Sequence, residues 1–404
     1  MMRKGWVCLS AALLVASCGV EEPRSRRPLF NNDENQTESE TGQEADENTS
    51  AKKICYVTCF DYPKEYDWRT DPKRGSVKCS LNVFADGALI MKLPVGDEYE
   101  VSPDPDMHRM IAGHLYTDYC TGSETVIKKD GKTILRYPEC EIICGIIVDK
   151  DTIYTLGHYR YRKGFAFRKN GEIILERSVG RTFGRLHRDG GRVCFAFAEQ
   201  TTAEGRIHER YYHYASGNIK ELASGNDVTK VWDIMSYNGE ICYIATYADI
   251  ERPVIFRNGQ IEEMVMPEAA DPVSFRMMAG ERRIFWEGLF SSPKISVATA
   301  LWVGPWQCIP FKEGMVANSC FVSEDGICCA FNPSQSNGLI YRRGEEFTMP
   351  EGYTVIGSSC GAVAEGILYI GLSSQKGESP KVWSNGELKE LNNIYGYIAS
   401  VSAF

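Results

Sequence analysis

One short hairpin pattern recurs along most of this chain and restricts what it can fold into. Its clearest copy, residues 254–265, is VIFRNGQIEEMV. Asn258 and Gly259 can both adopt positive φ, as the two-residue type I′ turn of a β-hairpin requires, and apolar runs flank them. Seven further turn pairs have the same context: Asp86-Gly87, Asp130-Gly131, Asn170-Gly171, Ser216-Gly217, Gly304-Pro305, Arg343-Gly344 and Asn385-Gly386. Neighbouring pairs are 39 to 46 residues apart, which is the period of a β-propeller blade.

Each of these hairpins follows a second one, so a repeat holds four antiparallel strands. In residues 228–265 we expect strand A over 230–237, B over 240–247, C over 253–257 and D over 260–265. In strand B the residues that face either side of the sheet are apolar, as expected of a strand covered on both faces. The same pattern predicts B strands at 54–60, 115–120, 152–157, 193–198, 283–287, 327–331 and 367–372.

The sequence therefore predicts an all-β fold, an eight-bladed β-propeller over residues 54–404, with seven blades as the alternative. The repeat begins with a B strand and ends with a strand, 394–404, that has no hairpin partner of its own. We expect this last strand to complete the first blade by pairing with residues 54–60. Closing the ring in this way removes the open sheet edges of a linear array.

Two segments of the last repeat resemble a known family. WSNGELKEL (383–391) and GILYIGLSS (366–374) are similar to repeats of exported bacterial β-propeller lipoproteins, which pair a Trp-x-Asn-Gly hairpin with a Gly-x-x-Tyr strand. In other repeats Phe256, Phe167 or Tyr341 replaces the tryptophan. The resemblance covers nearly all of residues 54–404. It implies a β-propeller fold and export from the cytoplasm.

The first residues resemble a lipoprotein signal peptide. Arg3 and Lys4 precede an apolar run, 6–16, that is too short to span a bilayer. Residues 15–18, Val-Ala-Ser-Cys, resemble a lipobox, which implies a signal peptide over 1–17 and diacylation of Cys18. Gly19 argues against retention in the inner membrane. We therefore expect a cell-envelope protein anchored to lipid at the outer membrane, facing the periplasm or the cell surface.

Residues 18–53 are predicted to form a disordered acidic tether. They contain few apolar side chains and could not bury enough surface to offset the entropy lost on ordering. A flexible chain of about 34 residues spans roughly 30 Å. The formal net charge of the protein is −9 and no basic stripe is present, so we do not expect a nucleic acid partner.

The 15 cysteines and 6 histidines could indicate disulfides or a metal site. Four cysteines share one position of strand B, where other repeats carry Ile or Leu: Cys55, Cys194, Cys242 and Cys328. A position that accepts Cys, Ile or Leu favours apolar packing, so we expect most cysteines to be reduced and buried. Equivalent cysteines should not bond, because facing sheets lie about 10 Å apart. The histidines show no paired ligand spacing, and we predict neither a metal nor a cofactor.

Two loops between strands B and C hold the candidate binding residues. The first covers residues 61–76 and the third covers 158–163, and both connect strands at the same end of a blade. The candidates are Tyr62, Tyr66, Trp68, His158, Tyr159, Arg160, Tyr161 and Arg162. Rings in such loops either pack over neighbouring blades or bind a ligand.

We expect a membrane-anchored, non-catalytic lipoprotein that binds a glycan, a peptide or an envelope protein. The alternative is a glycan hydrolase or lyase acting in the funnel of the ring, which would need two carboxyl groups roughly 5 to 10 Å apart. Asp106 and Asp233 are the nearest candidates, with Arg109, Arg185 and Arg276 in similar register. The pattern shows no acid pair, and binding is therefore favoured.

Overall fold

The computed structural model describes these residues: 53–69, 77–183, 186–203, 206–223, 228–247, 250–257, 260–264, 266, 271–279, 284–291, 298–302, 308–310, 315–323, 326–333, 338–342, 344–356 and 359–404. They form 34 β-strands in eight antiparallel sheets. The signal peptide, the tether and Cys18 lie outside the described residues, as does Arg185.

Blades 1 to 4 use the first strands of the chain. Blade 1 holds β1 (Cys55–Asp61), β2 (Cys79–Ala85) and β3 (Ala88–Val95). Blade 2 holds β4 (His108–Ile111), β5 (His114–Cys120), β6 (Thr125–Lys129) and β7 (Lys132–Tyr137). Blade 3 holds β8 (Glu141–Asp149), β9 (Thr152–Tyr159), β10 (Phe165–Lys169) and β11 (Glu172–Arg177). Blade 4 holds β12 (Arg181–Thr182), β13 (His187–Asp189), β14 (Arg192–Ala203), β15 (Arg206–Ala215) and β16 (Asn218–Ala223).

Blades 5 to 8 follow in the same order. Blade 5 holds β17 (Val228–Tyr237), β18 (Glu240–Tyr247), β19 (Ile250–Arg257) and β20 (Gln260–Glu263). Blade 6 holds β21 (Asp271–Ala279), β22 (Ile284–Ser291), β23 (Ala298–Trp302) and β24 (Cys308–Pro310). Blade 7 holds β25 (Met315–Ser323), β26 (Gly326–Pro333), β27 (Leu339–Arg342) and β28 (Glu345–Thr348). Blade 8 holds β29 (Tyr353–Thr354), β30 (Gly361–Ala364), β31 (Ile367–Ser374), β32 (Lys381–Ser384) and β33 (Glu387–Glu390).

The last strand, β34 (Gly396–Ala403), closes the ring. It pairs antiparallel with β1, from Cys55 opposite Ala403 to Asp61 opposite Gly396. Blade 1 therefore takes its inner strand from the end of the chain and its other three strands from the beginning. The predictions of eight blades and of this closure are both confirmed.

The turn pairs behave as their residue types predict. Both central residues have positive φ in five outer hairpins: Asp86-Gly87, Asp130-Gly131, Asn170-Gly171, Ser216-Gly217 and Asn385-Gly386. Because the two φ angles of a type I′ turn are positive, each pair joins its strands with the twist that the blade requires. Asn258-Gly259, Gly304-Pro305 and Arg343 lie outside the described residues.

Buried side chains between neighbouring sheets form the core, and polar side chains at the strand ends hold the blades together. Asp233 of blade 5 accepts a hydrogen bond from the backbone N–H of Met277 in blade 6, at 2.7 Å. The Asn332 amide of blade 7 accepts from Val355 N–H, at 2.9 Å, and donates to its carbonyl. These bonds satisfy backbone groups that the ladders within each blade leave at its inner edge.

The cysteines divide into two groups. Cys120–Cys140 and Cys320–Cys329 form disulfides, with Cα atoms 5.4 and 4.3 Å apart. The first joins the end of β5 to the residue before β8, and the second joins neighbouring strands of blade 7. In the described part of the chain eight cysteines are free, and all but Cys144 are buried. The prediction that most cysteines are reduced and buried is confirmed within the described residues, and the two bonded pairs, whose members are not equivalent, are its exceptions.

In the part of the chain that the structure describes, helix is limited to short 3-10 turns such as Asp97–Tyr99 and Pro105–Met107. Within the described residues, no helix has the length and apolar character needed to cross a membrane.

Candidate binding face

The described ends of the B strands and beginnings of the C strands lie on one face of the ring, from which the B–C loops of blades 1, 2, 3 and 8 emerge. Strands alternate in direction within each sheet, so these loops share that face with the connections from strand D to the next blade. The tight A–B and C–D turns lie on the opposite face. The two loops that carry the sequence-predicted binding residues therefore belong to one surface, which we call the loop face.

Two aromatic residues of the first loop do not project from the loop face. Tyr62 and Trp68 are buried, with Trp68 only 7% exposed. The Trp68 ring lies 5.0 Å from that of Tyr397 in β34, and Phe60 packs 5.2 Å from the same tyrosine. These rings cover the contact between β1 and the closing strand. The side chains of Tyr62 and Trp68 therefore pack in the core.

Tyr66 lies at the edge of an open cleft between the loops of blades 1 and 8. It is half-buried, and its ring centroid lies 5.0 Å from that of Tyr62. The cleft has a volume of about 110 Å³ and is also lined by Lys64, Arg69, Glu378 and Tyr395.

The two sides of the cleft are held by direct bonds. Lys64 Nζ lies 5.5 Å from the centre of the Tyr395 ring. The Arg69 guanidinium is 2.6 Å from Asp67 Oδ1 and also donates to the Gln375 carbonyl in the loop of blade 8. The cleft thus has fixed walls and combines aromatic surface with charges of both signs.

Two predicted residues of the third loop, Tyr159 and Arg162, bind Glu176 of their own blade, and a third, His158, contacts blade 4. Tyr159 is buried, and its hydroxyl donates to Glu176 Oε1 at 2.8 Å. Arg162 stacks 3.3 Å above the Tyr159 ring and donates to Glu176 and Glu139 at 2.7 and 3.0 Å. The His158 Nε2 atom is 2.7 Å from Thr182 Oγ1 in blade 4.

Electrostatics in this loop follow from those contacts. Hydrogen bonds from Arg162 and Tyr159 lower the pKa of Glu176. Burial, followed by the bond to Glu176, raises the pKa of Tyr159. Burial also lowers the pKa of His158, which favours its neutral form.

Arg160 and Tyr161 are the candidates that do project into solvent. The Tyr161 side chain is 70% exposed, and the Arg160 guanidinium lies 5.8 Å from its ring centre. An exposed ring beside an arginine matches the composition of interface anchors.

Blade 4 contributes a longer hairpin to the same face. Strands β14 and β15 have 12 and 10 residues. On β15, Glu209 pairs with Arg181 at 3.1 Å. Burial acts to raise the pKa of Glu209, but hydrogen bonds from Arg181, Tyr211 and Gln200 outweigh it and lower this pKa to about 2.

The acids considered for funnel catalysis do not form a visible pair. Asp233 is buried and accepts from the backbone N–H groups of Ile234 and Met277. Asp106 lies in a 3-10 turn before blade 2. Arg109 binds Asp118 at 2.6 Å and the Ile143 carbonyl of blade 3 at 2.7 Å, so it joins two blades. Arg276 is exposed on β21.

Sequence reasoning missed the partners of Tyr66 in the cleft. Arg69 belongs to the same loop as Tyr66, but Glu378 and Tyr395 are more than 300 positions away along the chain. The closure of β34 onto β1 brings them together. The one available signal was the predicted closure itself, which places residues 394–396 beside the first loop.

No family model and no curated protein matches the chain. Solved structures resemble its fold at low identity. The β-propeller domain of the Trilobed protease from Pyrococcus furiosus has 10% identity and a TM-score of 0.45, over 75% of this chain and 93% of that one. The acylaminoacyl peptidase of Pyrococcus horikoshii has 10% identity and a TM-score of 0.45, over 88% of this chain and 63% of that one. TolB from Acinetobacter baumannii has 11% identity and a TM-score of 0.31, over 86% and 82%. The sheet topology shows an eight-bladed β-propeller, and these solved structures are only distantly similar to it.

Proposed function

We propose that this protein is a lipid-anchored, non-catalytic β-propeller of the bacterial cell envelope that binds a peptide segment of another envelope protein. The cleft between the loops of blades 1 and 8 carries this proposal. It places the half-buried rings of Tyr66 and Tyr395 beside charged side chains of both signs. Aromatic and arginine side chains supply most of the binding energy in protein recognition.

A peptide fits the cleft better than a glycan does. Lys64 and Arg69 are positive, while Glu65 and Glu378 are negative, and all four line the same cleft. A peptide carries charges of both signs at side chains and can satisfy both sets, whereas most neutral sugars cannot. A glycan ligand is the other outcome that the binding experiment can reveal.

The first experiment exchanges the charges of two exposed neighbours in the cleft. The full-length protein and its Lys64→Glu, Glu65→Lys variant are tested on arrays of envelope-protein peptides and envelope glycans. The exchange keeps net charge constant, and we expect peptide binding to weaken at least about tenfold, since reversed charges face the ligand. The matched control, Lys132→Glu with Glu172→Lys, changes two exposed residues of the opposite face and should bind as wild type does. Equal binding by all three proteins contradicts the peptide site, and loss of glycan signals alone would replace the peptide with a glycan.

The anchor is proposed from the lipobox-like residues before Cys18. The disulfides Cys120–Cys140 and Cys320–Cys329 support export, because disulfides persist in oxidising compartments. Cells expressing the protein should incorporate labelled palmitate into it, and Cys18→Ser should abolish the label. Cys8→Ser, a change within the signal peptide, is the control that should retain it. A label that survives Cys18→Ser contradicts the anchor without affecting the peptide site.

A further inference from the structure

A cluster of three potential metal ligands lies between blades 4 and 5, at the end that carries the tight turns. His187 lies on β13, Cys194 on β14 and His213 on β15. One ligand atom of each lies within 4.8 Å of the other two. This cluster is separate from the cleft and from every residue that sequence analysis selected for binding.

Strand register explains why the three side chains meet. His187 is directly opposite Cys194, and His213 is directly opposite Ala196. Residues opposite each other, or two apart along one strand, share a face of the sheet. Cys194 and His213 are thus diagonal neighbours, about 7–8 Å apart at Cα and within reach of long side chains. The small Ala196 leaves room between them.

Blades 5 and 7 show what the same positions hold elsewhere. In blade 5 Cys242 is opposite Met235, and the position of His213 is taken by Ile255. In blade 7 the corresponding residues around Cys328 are Phe321 and Ile340. Apolar side chains fill these positions, so the fold itself does not require histidine. Placing the buried imidazole of His213 and the half-buried imidazole of His187 there costs free energy unless hydrogen bonds or a metal compensate.

His213 supplies an independent observation. Its side chain is only 4% exposed, and among the described residues its buried Nε2 atom has no hydrogen-bond partner. The His187 Nε2 atom lies 2.9 Å from Ser236 Oγ of blade 5, which orients that ring. Asp189, which is buried nearby, pairs with Arg192 at 3.6 Å and accepts a hydrogen bond from the backbone N–H of Gly239 in blade 5.

We propose that His187, Cys194 and His213 bind a thiophilic first-row metal ion, Zn²⁺ or Cu⁺. One thiolate and two imidazoles are ligands that both ions accept. In tetrahedral zinc sites, with bonds of about 2.0 to 2.3 Å, the ligand atoms lie roughly 3.3 to 3.6 Å apart. Side-chain rotations that shorten the distances between the three ligand atoms by about 1 Å would give that geometry. Cys194 binds as the thiolate and releases its proton to solvent.

Ser236 would act on the metal through His187. A ligating histidine generally donates its other ring N–H to a fixed acceptor, which sets the tautomer and the ring orientation. Binding through Nδ1 requires the tautomer in which Nε2–H donates to Ser236 Oγ, in place of the 3.4 Å bond that Nε2 accepts from the Ser236 backbone N–H. Ser236 is therefore a positioning residue, and Ser236→Ala should weaken metal affinity about 10- to 100-fold without abolishing binding.

The test uses the full-length protein, stripped with a chelator and then titrated with Zn²⁺, with Co²⁺ as its spectroscopic probe, and separately with Cu⁺ under anaerobic conditions. We expect about one ion per chain by elemental analysis. We also expect a thiolate-to-cobalt absorption band and a metal-dependent rise in Tm, since a ligand that binds only the folded state stabilises it. Cys194→Ser should remove the band and weaken affinity at least 100-fold. Cys242→Ser, at the equivalent position of blade 5, should retain both.

A second variant separates metal binding from folding. His187→Met with His213→Ile installs the residues that blade 5 carries, and we expect a folded protein that no longer binds the metal. Wild-type protein that binds none of the three ions overturns the proposal, and so does binding that Cys194→Ser and the double variant leave unchanged. The relative affinities for Zn²⁺ and Cu⁺ identify the ion.

Discussion

The B–C loops of blades 1 and 3 have similar composition and occupy equivalent positions, but the aromatic side chains of one are buried and an aromatic side chain of the other is exposed. In blade 1 the loop turns inward, and Trp68 packs 5.0 Å from Tyr397 of the closing strand. In blade 3 the loop stays at the surface, and Tyr161 is 70% exposed. Blade 3 is built from consecutive strands, whereas blade 1 joins both ends of the propeller.

The difference indicates that the role of a B–C loop depends on whether its blade is built from consecutive or from distant segments of the chain. Blade 1 is held together by the pairing of β1 with β34, and a sheet built from distant chain segments must overcome a larger loss of chain entropy. The rings of its loop add apolar contacts across that joint. Because blade 3 forms locally, its loop is available for other contacts.

Removing the closing strand should have the largest effect. Deleting residues 396–404 takes away the inner strand of blade 1 and exposes the edge of β1. We expect loss of cooperative unfolding and aggregation, measured by thermal circular dichroism and size-exclusion chromatography. Deleting Phe404 alone, which follows β34, is the control and should leave a cooperative transition. A truncated protein with the wild-type unfolding midpoint would show that closure is dispensable.

Trp68→Ala should be the most destabilising single substitution in these two loops. It removes a buried indole that covers Tyr397, and large-to-alanine changes in a core cost about 3–5 kcal/mol. Chemical denaturation gives the free energy of unfolding. A loss below about 1 kcal/mol would mean that the loop does not clamp the closing strand.

Much of the fold could be predicted from the sequence because its signals are local. An Asp-Gly or Asn-Gly pair determines its own turn, as the positive φ of Asp130 and Gly131 shows. Eight turn pairs at a regular spacing, five of them Asp-Gly or Asn-Gly, imply eight blades, and the unpaired strand at the end implies closure. The Cys120–Cys140 disulfide escaped prediction because it joins the end of β5 to the residue before β8 rather than equivalent strand positions.

The candidate sites were harder to predict because they depend on contacts between distant segments. Whether Trp68 packs or projects is decided by Tyr397, which only ring closure brings beside it. The cluster of His187, Cys194 and His213 depends on the register of three strands. A search for ligand spacing along the chain cannot detect that register, although alignment of the repeats shows histidine where other blades carry apolar residues.

Glu176→Gln should have a small effect that depends on pH. Arg162 and Tyr159 lower the pKa of Glu176 from its ordinary value of 4.5, so the ionised carboxylate stabilises the folded state above that pH. This contribution is lost as pH falls through the lowered pKa. Arg162 and Glu176 are each 40% exposed, and solvent screening limits the effect to about 1 kcal/mol or less.

The measurement compares wild type and Glu176→Gln at pH 7 and pH 3. The difference in unfolding free energy between the two proteins should be present at pH 7 and smaller at pH 3. Glu172→Gln, on the exposed start of the same strand, is the matched control and should show no such dependence. A difference that grows at low pH would contradict the assigned ion pair.

Tyr161→Ala should have the smallest effect on stability and so gives the sharpest contrast with Trp68→Ala. The ring is mostly in solvent, and surface substitutions of this kind change the free energy of unfolding by about 0.5 kcal/mol or less. A larger loss would mean that the third loop also packs against a neighbour, and the contrast between the two loops would disappear. If stability is unchanged while binding to the peptide array falls, the exposed ring belongs to the same recognition surface as the cleft. Unchanged binding would restrict recognition to the cleft, where Tyr66 and Tyr395 are already held in place by the loops of blades 1 and 8.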